Sequence, residues 1–224
     1  MNHRLLLLVS VMAWIPGGLH AQTPSTPAWP EAQVRKGQYI RDTAQDAYGH
    51  HDFEGMIILY NNLASGRATY PSDQTVKLPP IGQIFRESKM EPAYLEVIDE
   101  LILIATDYQA VSREYFEIVS KIDLAELRTK DHSGTIRVPV SDGTKAKATT
   151  LEKRLGLAQA KLVANLKSGH ASPNAFLRNL EGARGYLKTV ASGEVDENCY
   201  DVDMVSQRLG HAFTNALIWA RENY

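Results

Sequence analysis

The residues in this chain best suited to chemistry are four near neighbours, His50, His51, Asp52 and Glu54. Imidazole nitrogens and carboxylate oxygens are familiar ligands of zinc and non-haem iron. Helical spacing places His50 and Glu54, or His51 and Glu54, on one side. His50, His51 and Glu54 are therefore the expected candidate set for zinc or iron, and a metal-dependent enzyme is the alternative functional reading they support. Each residue also has a simpler explanation. The segment follows Gly49 and joins two expected helices, where Asp52 suits a helix cap and Glu54 in a first turn favours the helix dipole. The spacing is neither the His-Glu-x-x-His of metalloproteases nor the Glu-x-x-His of di-iron bundles.

Other chemistry-bearing residues are scattered. Glu194, Asp196, Glu197, Asp201 and Asp203 surround Cys199, but a calcium loop needs glycine at its sixth position and Asp201 stands there. An acidic helix start explains the patch better. Cys199 is the one cysteine, so no intramolecular disulfide holds the fold, and a small buried apolar role is expected for it. His170 follows Gly169 in a link between helices, where a histidine bonds terminal carbonyls. His211 is expected to be partly buried and hydrogen-bonded. No nucleophile elbow, phosphate loop, dinucleotide fingerprint or haem-attachment motif occurs, so no catalytic or cofactor-binding residue is assigned.

The elements that must hold these residues are helical. Stepping by sevens from Tyr94 meets Leu101, Tyr108, Tyr115 and Ile122. Stepping from Val97 meets Ile104, Val111, Ile118 and Ala125. This heptad seam, with no Gly or Pro from Ala93 to Lys130, predicts one long helix over about 92–129. Ser88 and Glu91 read as its capping box, and Pro92 suits its first turn. Three tyrosines on the seam suggest core packing or a groove left partly wet. Further helices are expected at Glu31–Tyr48 and Asp52–Ala64. A third begins at the Thr149–Glu152 capping box, a fourth at Ser172-Pro173, and Asp201 caps a last one. Ser65–Ile84, with Pro71, Pro79 and Pro80, reads as a long loop. Lys130–Thr144 reads as a second, with Ile136–Val140 a short edge strand or hairpin. The expected fold is all-α, an antiparallel bundle of about six helices around the long one, with two long loops.

The N-terminus has the layout of a secretory signal. His3 and Arg4 precede an apolar run from Leu5 to Ile15. Pro16, Gly17 and Gly18 break it, and Ala21 suits cleavage before Gln22. A spanning helix needs about twenty apolar residues, so this run is too short to serve as an anchor. The expected organisation is a signal peptide at 1–21, a tether at 22–30 and one helical domain at 31–224. Removing residues 1–21 takes away Arg4 and no acid, leaving a net charge of −3. That balance gives no support for nucleic-acid binding. The functional expectation is an exported, non-enzymatic binding or inhibitor protein of the cell envelope. It is periplasmic or extracellular, with another protein as partner and no membrane insertion after cleavage. The gripping surface is expected at the two long loops or in a groove beside the long helix.

Overall fold

The computed structural model describes residues 29–119, 121, 135–196 and 203–224. The signal segment, most of the tether, Cys199, Glu197, Asp201 and the expected continuation of the long helix past Val119 lie outside those residues.

The described chain is an all-α bundle with two small sheets. Strand β1, Glu31–Val34, leads to helix α1, Ile40–Tyr48. A 3₁₀ turn, His51–Phe53, then runs into α2, Glu54–Tyr60. Strand β2, Gln74–Lys77, precedes α3, Ile81–Glu87, and the long helix α4, Pro92–Val119. After β3, Thr135–Arg137, come α5, Asp142–Ala164, and α6, Asn174–Ser192. Strand β4, Glu194–Asp196, and α7, Met204–Asn223, complete the order.

Four helices form the core. Helix α4 packs on α5, α5 on α6, α6 on α7, and α7 closes back on α4. All neighbours run antiparallel. Tyr94 near the start of α4 meets Trp219 near the end of α7, while Tyr108, further along α4, bonds Asp203 before α7 begins. Across α4 and α5 the pairs Glu91–Lys167, Glu96–Lys161, Glu100–Arg154 and Asp107–Arg154 step in opposite directions. These partly exposed pairs set register more than stability, at about 0–1 kcal/mol each. Helix α6 sits diagonally opposite α4, so of the last three helices α5 and α7 pack on the long one.

The heptad seam is the spine of this core. Tyr94, Val97, Leu101, Ile104, Tyr108, Val111 and Tyr115 are all buried, and Ile118 is partly so. Ile122 and Ala125 lie outside the described residues. The facing stripes are Ala148, Leu151, Leu155, Ala158 and Leu162 on α5, and Phe176, Leu180, Ala183, Leu187 and Val190 on α6. Alternating steps of three and four residues keep each stripe on one face.

Several expected boundaries are corrected. Glu31–Tyr48 is not one helix, because the chain turns at Gly37, whose φ of +83° suits only glycine without strain. Residues 31–34 instead pair antiparallel with β2, Ala32 opposite Val76. Ser65–Ile84 is therefore not an open loop. Pro71, Pro79 and Pro80 bracket β2 without interrupting it, and Val76 reaches the core. Ser88 does not cap α4; it ends α3, its hydroxyl donating to the Phe85 carbonyl. Thr149 lies inside α5, donating to the Lys145 carbonyl. The true cap is Ser141, whose oxygen accepts from the Thr144 N–H. The last helix is capped by Asp203, two residues past Asp201. The strand near Ile136 exists, but its partner is the distant β4 and not a local hairpin.

Candidate functional site

The His50–Glu54 segment forms a corner between α1 and α2. Helix α1 stops at Gly49, which takes the left-handed conformation at φ +80° and donates its N–H to the Gln45 carbonyl. His50 is extended, and its Nδ1 accepts from the Asp52 N–H at 3.3 Å, which caps the 3₁₀ turn. The cap is thus the histidine and not Asp52. Asp52 is left to turn its carboxylate toward both imidazoles.

The turn lies on the first half of α7. A Cβ on Gly210 would stand 2.4 Å from the Asp52 carbonyl oxygen, and one on Gly55 would stand 2.3 Å from the Thr214 hydroxyl. Only glycine lets the two backbones approach this closely. Phe53 packs against Phe213 at 5.6 Å between ring centroids, anchoring the corner in the core.

The donor atoms converge. Asp52 Oδ2 is 3.1 Å from His50 Nδ1 and 3.5 Å from His51 Nε2. The two imidazoles stack with centroids 4.4 Å apart. One ligand atom each from His50, His51 and Asp52 fall within 4.8 Å of one another. Glu54, expected as the third member, is not in this group among the described residues; Asp52 takes that place. Burial first and then the Asp52 charge raise the Glu54 carboxyl above its usual range, so it sits close enough to feel the cluster.

Behind His50 stands a residue the sequence did not single out for this site. Asp203 Oδ2 is 3.9 Å from His50 Nε2. Its carboxylate accepts from the Tyr108 hydroxyl at 3.0 Å, the Ser112 hydroxyl at 2.5 Å, and the Ser206 N–H and hydroxyl at 3.0 and 2.8 Å. Burial, and then the charge of Asp203, push the Tyr108 phenol well above its ordinary pKa. The contact joins residues far apart in the chain, and spacing carries no such information.

A cleft of about 180 Å³ opens beside the corner. Its walls are mainly apolar, from Tyr48, Phe53, Ile102, Ala105 and Phe213 among others. His50, Thr106, Gln109 and Ser206 supply the polar edge, and no Lys, Arg, Asp or Glu lines it. A more open hollow of about 500 Å³ lies on the α5 side of α4. Its charged groups are Asp107, Lys147 and Arg154, of which Arg154 and Asp107 pair with each other.

The remaining candidates do not join the site. His170 is drawn into an aromatic group with Tyr94, Trp219 and Tyr224, in place of bonding terminal carbonyls through its ring. His211 is exposed, not partly buried. Cys199, Glu197 and Asp201 lie outside the described residues, Glu194 and Asp196 belong to β4, and Asp203 caps α7. Comparison with protein families, curated proteins and solved structures finds no match to this chain.

Proposed function

We propose that this chain is an exported binding protein of the cell envelope that grips a partner protein through the cleft beside α4. The observation that carries the reading is the size and chemistry of that cleft. Small-molecule pockets usually run from about 300 to 1,000 Å³, whereas a cavity of about 150 Å³ accepts a single benzene ring. At about 180 Å³ this cleft suits one ring, not a whole metabolite. Protein interfaces concentrate binding energy in such pockets, each seating one aromatic anchor within a polar rim. The uncharged lining favours an uncharged side chain, Phe or Tyr. Export rests on the His3–Arg4, Leu5–Ile15 and Ala21 pattern. Among the described residues no helix is long and apolar enough to cross a membrane.

Of the gripping surfaces expected, the two long loops or a groove beside the long helix, this reading keeps the groove. The 65–84 segment is folded into β2 and α3, so its backbone is committed to the domain.

The test is a pull-down from the native envelope with the parent chain and with Ala105→Trp, which fills the cleft. A stoichiometric partner held by the parent and lost by the variant is expected. No partner, or one retained equally by both, defeats the reading. A far-ultraviolet spectrum of the variant guards against misfolding.

A further inference from the structure

We propose that His50, His51 and Asp52 bind a divalent transition-metal ion, zinc in the first place. This reading shares His50 with the partner cleft but is argued from other observations. It begins from an electrostatic oddity. Asp52 Oδ2 is fully buried and has no hydrogen-bond donor. Its nearest neighbour is His50 Nδ1, which is already accepting from the Asp52 N–H. The single lone pair of Nδ1 is spent on that N–H, and Asp52 Oδ2 stands 3.1 Å from it without a donor of its own; a metal ion bound at Nδ1 would take the lone pair over from the Asp52 N–H. An arrangement of that kind is unfavourable unless a proton or a metal ion lies between the two atoms, because a buried acceptor without a donor carries its full desolvation cost.

The spacing fits a metal ion. Zinc binds imidazole nitrogen and carboxylate oxygen at about 2.0–2.2 Å in tetrahedral geometry, which separates ligand atoms by roughly 3.3–3.5 Å. The two edges at Asp52, 3.1 and 3.5 Å, straddle that range. The third edge, between the imidazoles, is at most 4.8 Å, and the half-exposed His51 is the ring that would have to move to shorten it. Two nitrogens and one oxygen make a borderline donor set, suited to zinc and foreign to calcium or magnesium. Three protein ligands leave one coordination position for water.

The surroundings support the same ion. Asp203 stands behind His50 on its Nε2 side, as second-shell carboxylates orient metal-bound imidazoles. Its four other donors hold it in place. The close approach of Gly210 fixes the Asp52 backbone. His51, with a side chain 53% exposed, forms the entry side, while Asp52 and His50 are 12% and 18% exposed. The cluster is thus open to solvent on one face and rigid on the other.

The competing arrangement is a proton on His50 Nδ1, which would donate to Asp52 with no metal. A titration separates the two. The full chain, purified without a histidine tag and stripped with a chelator, is titrated with zinc against a chromophoric competitor. Cobalt(II) then reports geometry through its visible bands. One zinc per chain and tetrahedral cobalt bands are expected. His51→Ala and Asp52→Asn should each weaken zinc by at least about tenfold, with an unchanged thermal melt for the exposed His51 variant. Glu54→Gln should leave the affinity nearly unchanged. The absence of saturable zinc uptake, or equal uptake by His51→Ala, overturns the proposal. A loss on Glu54→Gln matching that on Asp52→Asn overturns the ligand assignment.

Discussion

Asp203 accepts four hydrogen bonds, from groups on α4 and α7. A carboxylate so held does not reorient without breaking several charge-assisted bonds, each worth about 1.5–3 kcal/mol. The corner it backs is equally tightly set. Gly210→Ala would force a methyl against the Asp52 carbonyl, and overpacking of this kind costs about 1–3 kcal/mol. Denaturant melts should show that loss without a change in helix content at low denaturant. An unchanged midpoint would mean that α7 and the 3₁₀ turn are not in contact. At this scale the sequence was informative about residue type and weak about direction. The run His50, His51, Asp52, Glu54 was visible as a cluster. Which carboxylate turns inward was not, because helical spacing favours Glu54 while the chain forms a 3₁₀ turn there. Asp203 was invisible as a neighbour, being joined to His50 only by the closing of the bundle.

At the level of elements, periodicity was the dependable signal and capping the unreliable one. The seam on α4 recurs as read through Ile118, since burial enforces it. Caps are local, and several residues compete for each. Thr149 and Ser141 both have a suitable hydroxyl, but α5 begins one to two turns before Thr149. Ser141→Ala should therefore lower stability by about 1 kcal/mol, and Thr149→Ala by distinctly less, as measured by thermal or urea unfolding. The reverse ranking would place the start of α5 at Thr149. Of the strands only the one near Ile136 was expected, and β1, β2 and β4 were missed for a different reason. Strands β1 and β2 are four residues each, and β3 and β4 three, so none offers a run of alternation long enough to stand out. Their pairing over forty or more residues depends on the helices between them.

The whole molecule carries an unusual load of packed phenols. Tyr48, Tyr60, Tyr70, Tyr94, Tyr108, Tyr115 and Tyr224 all have raised pKa values, with burial the main cause in each. Tyr60, which also donates to Glu87, and Tyr224 reach about 12. A phenol whose folded pKa exceeds its unfolded value of about 10 favours the folded state below that pH, and this contribution disappears as pH rises through the folded value. Stability should thus fall steeply above pH of about 10, and most phenolate absorbance should appear together with loss of helical circular dichroism. Stepwise ionisation near 10 with the helices intact would contradict the packing. The way the ring of helices closes has a temporal consequence. The two histidines stand near the front of the chain, while Asp203 and Gly210, which brace them, come with the final helix. In a polypeptide that emerges amino end first, from a ribosome or through a translocation pore, the imidazoles pass through most of synthesis without their supports. The corner becomes a defined object only when α7 swings into place, so a ligand captured there is captured after that helix has docked.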